Sequence, residues 1–387
     1  MIIQLPVHGQ GVFLFQGASF RMLNAEHTNG LNVEFTMDRV NVIEIETSTP
    51  YIDSENNQGL SPYKGASYWF SLDTHNQRIY AGIGEARLET IIYKYTFPAS
   101  SKSFLESITC IEYADTKYRI LKDPITKKIP LVVKDIHELT MDTIAAGTFM
   151  PKANLVPIAQ KMYECIAGPK FTLNTPDFPD FTQAIEYSIK TPGLWCYKKI
   201  REKSREFNPD KPNIAETYLR ITLGENNGES PGIPYVMEIW PVGHYSPIHS
   251  HANANAIIRV LSGEIHVSLY PFLSEGADIV PPFGSVSFKQ DDITWISPTL
   301  NQVHQLKNLE TNTYTCITIQ CYMYQEKDGR HYDYFDYLGD KGVKHQYEPD
   351  SDMEFLTFKE HIRTEWNARP QPTYVQMVHP KKSCWLC

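Results

Sequence analysis

From residue 1 to about 100 the apolar positions fall in short runs, such as "GVFLFQ", "LNVEFTM" and "RVNVIEIET", rich in β-branched and aromatic residues. Runs of this length and composition, bounded by turn residues, predict strands. The clearest unit is "SYWFSLDTHNQRIYAGIGEARLETIIYKYTF". It reads as two strands around the polar turn "DTHNQ", a glycine-containing bend, and an alternating strand from Leu88 to Phe97. An antiparallel β-sandwich accounts for this pattern. Between about Pro124 and Pro157 prolines and lysines interrupt the periodicity, which predicts a connection with a boundary near residue 150.

Beyond 157 the period changes. Ile158, Met162, Tyr163 and Ile166 recur at helical spacing, and Asp180 stands where it can cap a second helix whose inward face is Phe181, Ala184, Ile185 and Ile189. A third short helix is predicted within "LWCYKKIREKSREF". After Pro209 strand patterns return in "TYLRITL", "YVMEIW", "AIIRVLSG", "IHVSLY", "GSVSFK" and "TYTCITIQCYMY", the sign of a barrel or double-sheet jelly roll. The tail from 325 offers one helix, "FKEHIRTEW", and no internal repeat appears. The expected fold is therefore mainly β. It comprises an accessory sandwich over 1–110, a connecting region over 111–153, a second domain over 154–325 and a C-terminal extension over 326–387.

Composition narrows the functional classes. A chain of 387 residues suits two domains. The net charge of -9 and the lack of a basic stripe argue against a nucleic-acid partner and for a small-molecule one. Seven scattered cysteines do not read as a disulfide framework, and no signal peptide or membrane-spanning run is visible, so a cytoplasmic protein is expected. The C-terminal "KKSCWLC" resembles a prenylation box, with lipid anchoring at Cys384 as its implication; a flexible thiol pair, Cys384 and Cys387, is the plainer reading.

The chemistry concentrates in "EIWPVGHYSPIHSHANANAIIRVLSGEI". His249 and His251, two apart on a strand, share one face and can reach one cation, although such a pair is equally compatible with exposure or hydrogen bonding to neighbours. The frame adds information: five residues separate Gly243 from His249, one separates His249 from His251, and eleven separate His251 from Gly263. That spacing resembles the first motif of cupins. "ISPTLNQVHQLKN", with His304 four residues before Asn308, resembles the second, without its usual glycine after the proline. Most cupins place a glutamate where this chain has Ala256, so the resemblance implies a metal held by His249, His251 and His304 alone. Three neutral ligands leave a divalent cation attractive to an anion.

This set resembles the cysteine dioxygenases over about residues 155–325. The likeness runs through "Tyr218-Leu-Arg220", "Trp240-Pro-Val-Gly243-His244", "Ile248-His249-Ser-His251", His304 and, with one inserted residue, Tyr322 in "TIQCYMY". It implies a jelly-roll barrel, Fe(II), and oxidation of L-cysteine by O2 to cysteine sulfinic acid. Arg220 would grip the substrate carboxylate, Tyr218 would add a hydrogen bond, Tyr322 would act beside the metal, and Trp240 would pack beneath the site. His244 and His266 are not expected as ligands. Three departures stand out. Ala256 replaces the cysteine that animal members crosslink to the tyrosine, and Cys321 should face the other way. Gln320 and Thr318 replace a histidine and its serine partner. The N-terminal half weakly resembles the β-sandwich module named after farnesoic acid methyltransferases, through "YWFSLD" and "RIYAGIGEA", and its ligand is unspecified. Dioxygenation of another small thiol or of an N-terminal peptide cysteine, and a non-catalytic ligand-binding cupin, are the alternatives.

Overall fold

The computed structural model describes residues 2–5, 11–15, 19–113, 118–121, 123–224, 235–251, 254–324 and 335–370. Cys384 and Cys387 lie outside them. The fold is mainly β, an antiparallel sandwich followed by a jelly-roll barrel carrying helices on one face. Among the described residues the sandwich has a six-stranded sheet in the order Ile2–Gln4, Ile108–Tyr113, Ser19–Asn24, Gly30–Phe35, Val40–Glu44, Pro50–Tyr51. Facing it is a five-stranded sheet in the order Tyr118–Leu121, Gly11–Phe15, Tyr68–Asp73, Arg78–Ile83, Ile91–Thr96. Every pairing in both sheets is antiparallel. Met22, Leu31, Val33, Phe70, Leu72, Ile79 and Tyr93 fill the space between them. The "DTHNQ" turn is closed by Asp73, whose Oδ1 accepts from the Asn76 amide at 3.0 Å.

The barrel has an eight-stranded sheet in the order Phe149–Pro151, Val132–Lys134, Ile293–Ile296, Asn255–Ser262, Cys316–Met323, Tyr235–Trp240, Leu219–Leu223, Met353–Glu354. Its partner is a six-stranded sheet, Gly284–Lys289, Glu264–Leu269, Val303–Lys307, His249–Ser250, Phe335–Leu338, Lys344–Tyr347. Because alternate side chains on a strand face opposite ways, the larger sheet divides its residues between two environments. Ile221, Met237, Ile239, Ile257, Ile317, Ile319 and Cys321 point outward. They are covered by the helices Pro157–Ile166, Phe181–Lys190, Trp195–Glu202 and Phe355–Asn367. Arg220, Glu238, Trp240, Val260, Thr318, Gln320 and Tyr322 stand at the alternate positions, toward the barrel interior. Burial on both faces explains why these strands read as almost unbroken apolar runs. Gly263, at φ +78°, turns the chain from one barrel sheet to the other; a Cβ there would come within 2.9 Å of the Thr315 carbonyl oxygen.

The structure differs from the sequence expectation in three places. Leu88–Thr90 is a 3-10 turn, and the strand begins at Ile91. Thr90 is responsible: its hydroxyl donates to the Arg87 carbonyl at 3.0 Å, an alternative to ladder pairing. Residues 111–153 do more than connect, since Val132–Lys134 and Phe149–Pro151 join the barrel sheet as a parallel pair. Strands of three residues are too short to show a period. The segment after 325 supplies three strands, and Met353–Glu354 pairs in parallel with Ile221 and Thr222. Asp180 does precede its helix, but its side chain makes no cap bond; its Oδ2 accepts from the Trp366 indole at 3.4 Å.

The helix Phe355–Asn367 is thus part of the barrel core. Phe358 is fully buried, with its ring 5.4 Å from Trp195 and 6.0 Å from Phe181. Phe358→Ala is expected to cost about 3–5 kcal/mol, read from the denaturant midpoint, with loss of the whole barrel rather than of the tail alone.

Candidate metal centre

Strand pairing builds the site. His249 lies directly opposite His304 across two antiparallel strands, and His251 follows two residues later on the same face. The three side chains are buried, and one ligand nitrogen from each lies within 4.8 Å of the other two. The contacts show which nitrogens converge. His249 Nε2 and His304 Nε2 stand 3.1 and 3.2 Å from His251 Nε2. His249 Nδ1 faces the Pro247 carbonyl at 3.0 Å, and His304 Nδ1 faces the Asn301 carbonyl at 2.9 Å. A carbonyl only accepts, so both Nδ1 atoms carry the proton and both Nε2 lone pairs point inward.

Three lone pairs aimed at one point, with no acid among them, fit a divalent cation. Metal–nitrogen bonds of about 2.1 Å hold neighbouring nitrogens roughly 3.0 Å apart at a right angle and roughly 3.4 Å apart in a tetrahedron. The observed separations fall within that span. Burial pushes the His249 imidazole down to about 3 and that of His304 to about 4, and holds His251 well below the ordinary 6.5. Neighbouring imidazoles add to the effect at His249 and His251. All three are neutral at physiological pH, the state a metal requires.

The cluster opens onto a cavity of about 50 Å³. Its walls include Ile258, Val260, Ile265, Val267, Leu269, Val286, Phe288, Ile296 and Leu306. Polar groups also border it, on Tyr218, Glu238, Asn301, Gln320 and Tyr322. Trp240 and Trp295 line it too, and their buried indole N–H groups have no partner among the described residues. Tyr218 stacks on Trp240, with centroids 4.2 Å apart. Tyr322 lies parallel to the His251 ring at 5.5 Å, and Phe335 meets that ring edge-on at 4.4 Å.

Arg220 is buried close enough to the cluster for its charge to act on His249 and His251. Register sets it opposite Glu238, and its Nη1 donates to Glu238 Oε1 at 2.7 Å. Glu238, not Arg220, borders the cavity. The other Glu238 oxygen accepts from Gln320 Nε2, and Gln320 Oε1 accepts from the Tyr322 hydroxyl. A continuous buried chain therefore links Tyr322, Gln320, Glu238 and Arg220. Burial raises the Glu238 carboxyl, and the Arg220 guanidinium works against that rise. The acid was visible as the charge inside "YVMEIW", but only the register shows its partner.

Ala256 stands directly across from Tyr322 and brings no thiol to it. Cys321 faces the helices, with Sγ 3.7 Å from the Met162 carbonyl oxygen. Thr318 lies opposite Glu238, and its hydroxyl is 3.4 Å from Gln320 Nε2. His244 bonds the Thr217 carbonyl and His266 the Ser287 hydroxyl, both apart from the cluster. Phe335 had no signal in the sequence, because it belongs to no recognisable motif; Asn301 lies within "ISPTLNQVHQLKN", where nothing marks it as a partner of His304.

No family model matches the chain. Solved structures to which it is similar include cupin-like proteins at low identity. One is a cupin-like protein from Thermotoga maritima, 16% identical over 32% of this chain and 74% of that one, with a TM-score of 0.23. Another is a cupin 2 domain-containing protein from Halorhodospira halophila, 14% identical over 42% and 90%, at 0.21. A DMSP lyase from Ruegeria pomeroyi is 13% identical over 28% of this chain and 48% of its own length, also at 0.21. Fold and cluster together define a jelly-roll β-barrel with a three-histidine candidate metal centre. No helix among the described residues is long and apolar enough to cross a membrane.

The imidazoles also predict a pH dependence. Their folded pKa values lie below 6.5, so as pH falls beneath 6.5 the unfolded chain takes up protons first and gains relative to the folded one. The metal-free protein is expected to lose stability progressively from about pH 6.5 to 4. Urea midpoints across that range should fall more steeply for the wild type than for His249→Gln.

Proposed function

We propose that the protein is an iron-dependent dioxygenase that converts a small thiol to its sulfinate, R–S⁻ + O2 → R–SO2⁻, with L-cysteine the substrate implied by the sequence resemblance. The observation that carries this reading is the convergence of three neutral imidazole Nε2 atoms, unaccompanied by a carboxylate ligand, on a small apolar cavity. Ferrous iron held there supplies open positions at which a thiolate and dioxygen can meet.

The chain's own residues do the rest. His249, His251 and His304 bind through Nε2, with the Nδ1 protons of His249 and His304 held on backbone carbonyls. The aliphatic walls exclude water, which strengthens every charge interaction within. Tyr322 keeps its hydroxyl proton on Gln320 and its ring against His251, bounding the space beside the metal position. The indoles of Trp240 and Trp295 offer donors to developing sulfinate oxygens. Room for only a few water-sized groups favours a small thiol over a peptide. Free buried cysteines at 110, 196, 316 and 321 suit a reducing compartment such as the cytoplasm. Nucleic acid has no part in this reading.

A second reading of the substrate rests on the Arg220–Glu238 pair. A guanidinium already paired with a buried carboxylate has less attraction left for a substrate carboxylate, which favours an amine-bearing thiol without one. Oxygen uptake by the iron-loaded protein should separate the two, with L-cysteine and 2-aminoethanethiol compared and products identified by mass. Sulfinate formation that disappears in His304→Ala supports the dioxygenase. Bound iron with no uptake on either thiol would sink it in favour of a ligand-binding barrel. Glu238→Gln releases Arg220, so kcat/KM for L-cysteine relative to 2-aminoethanethiol is expected to rise by roughly tenfold or more, the worth of one charge-assisted hydrogen bond.

A further inference from the structure

We infer that the N-terminal sandwich is a working part of the metal centre, because it positions the third histidine through Asn301. The connection starts at His304, whose Nδ1–H is held by the Asn301 carbonyl at 2.9 Å. Asn301 is a buried non-glycine residue in the left-handed region, at φ 61°, a conformation that needs support from its surroundings. Two of its polar groups find that support in the sandwich. Its amide donates to Glu85 Oε2 at 2.7 Å, and its side-chain oxygen accepts from Arg87 Nη1 at 2.8 Å. The same Nη1 donates to Glu85 Oε1 at 2.8 Å. The side-chain nitrogen of Asn301 binds the barrel itself, at the Trp295 carbonyl, 2.9 Å away. Every hydrogen-bonding group of Asn301 is thus engaged, and its carbonyl holds the His304 nitrogen that points away from the metal position.

The pair that does this is costly to bury. The Glu85 and Arg87 side chains are only 5% and 3% exposed, and burial raises the Glu85 carboxyl against the pull of Arg87. Buried ion pairs contribute little net stability, whereas their geometry fixes the register of whatever they hold. Here they hold the side chain of a residue 214 positions from Arg87 and its backbone amide 216 positions from Glu85. Close packing at the junction keeps the pair in place. Gly84, at φ +70°, lets the chain approach until a Cβ would stand 2.1 Å from the Pro271 carbonyl oxygen, and the Glu85 amide donates to that same oxygen at 2.8 Å. Partners that orient metal-ligating histidines typically carry about 10- to 100-fold in metal affinity. Arg87, Glu85 and Asn301 are positioning residues in this sense, acting on the azimuth and tautomer of His304.

The inference rests on the three histidines binding a metal, and is independent of the thiol chemistry. Its test is a Co(II) titration of the full-length protein, followed by the visible spectrum, which reports ligand geometry rather than fold. Arg87→Gln is expected to weaken Co(II) binding by tenfold or more and to alter the spectrum. Met22→Ala, in the sandwich core away from the network, should lower thermal stability and leave both unchanged. Asn301→Gly keeps the left-handed backbone but drops the Arg87 bond, and is expected to weaken binding even where Arg87→Gln folds poorly. Wild-type affinity and spectrum in Arg87→Gln or Asn301→Gly would overturn the inference, as would an equal loss in Met22→Ala. No Co(II) uptake by the wild type would overturn the metal centre as well.

Discussion

The constraint on which the barrel depends is the desolvation of three imidazoles whose lone pairs face one another. Such groups must stay neutral, and a partner on the outward nitrogen fixes which nitrogen turns inward. For His249 and His304 the backbone carbonyls of Pro247 and Asn301 satisfy them, which consigns Nε2 to the interior. The largely apolar wall lowers the local dielectric around three neutral nitrogens that could hold a divalent cation.

A second polar system runs beside the first without merging with it. Arg220, Glu238, Gln320 and Tyr322 form a hydrogen-bonded chain that gives the cavity polar edges, and the Arg220 charge also acts on His249 and His251. This separation matters for selectivity. The metal position attracts anions, while the nearest acid and base are already committed to each other.

Much of this was legible in the sequence, and the remainder is instructive. The trio His249, His251 and His304 was implied by the resemblance of two segments to the cupin motifs, and strand pairing brings the three together. The helices at 157–166 and 181–190 follow from periodicity, and the inward faces matched their buried residues, with Ile189 only half covered. What could not be read was cross-strand register. Arg220 looked available for a ligand because nothing local shows that Glu238 lies opposite it. Asn301 and Arg87 were silent for the same reason, as side chains with ordinary local surroundings whose partners are distant in sequence.

The strand order of the larger barrel sheet carries a kinetic consequence. Its neighbours come from residues as early as 132 and as late as 354, and two of its pairings are parallel, so few of its hydrogen bonds can form between adjacent segments. Loop closure must precede most of the stabilising contacts, which places the barrel toward the slow end of folding rates. During that interval the apolar strands Asn255–Ser262 and Cys316–Met323 lie open, and helper proteins that shield hydrophobic segments have their natural targets there.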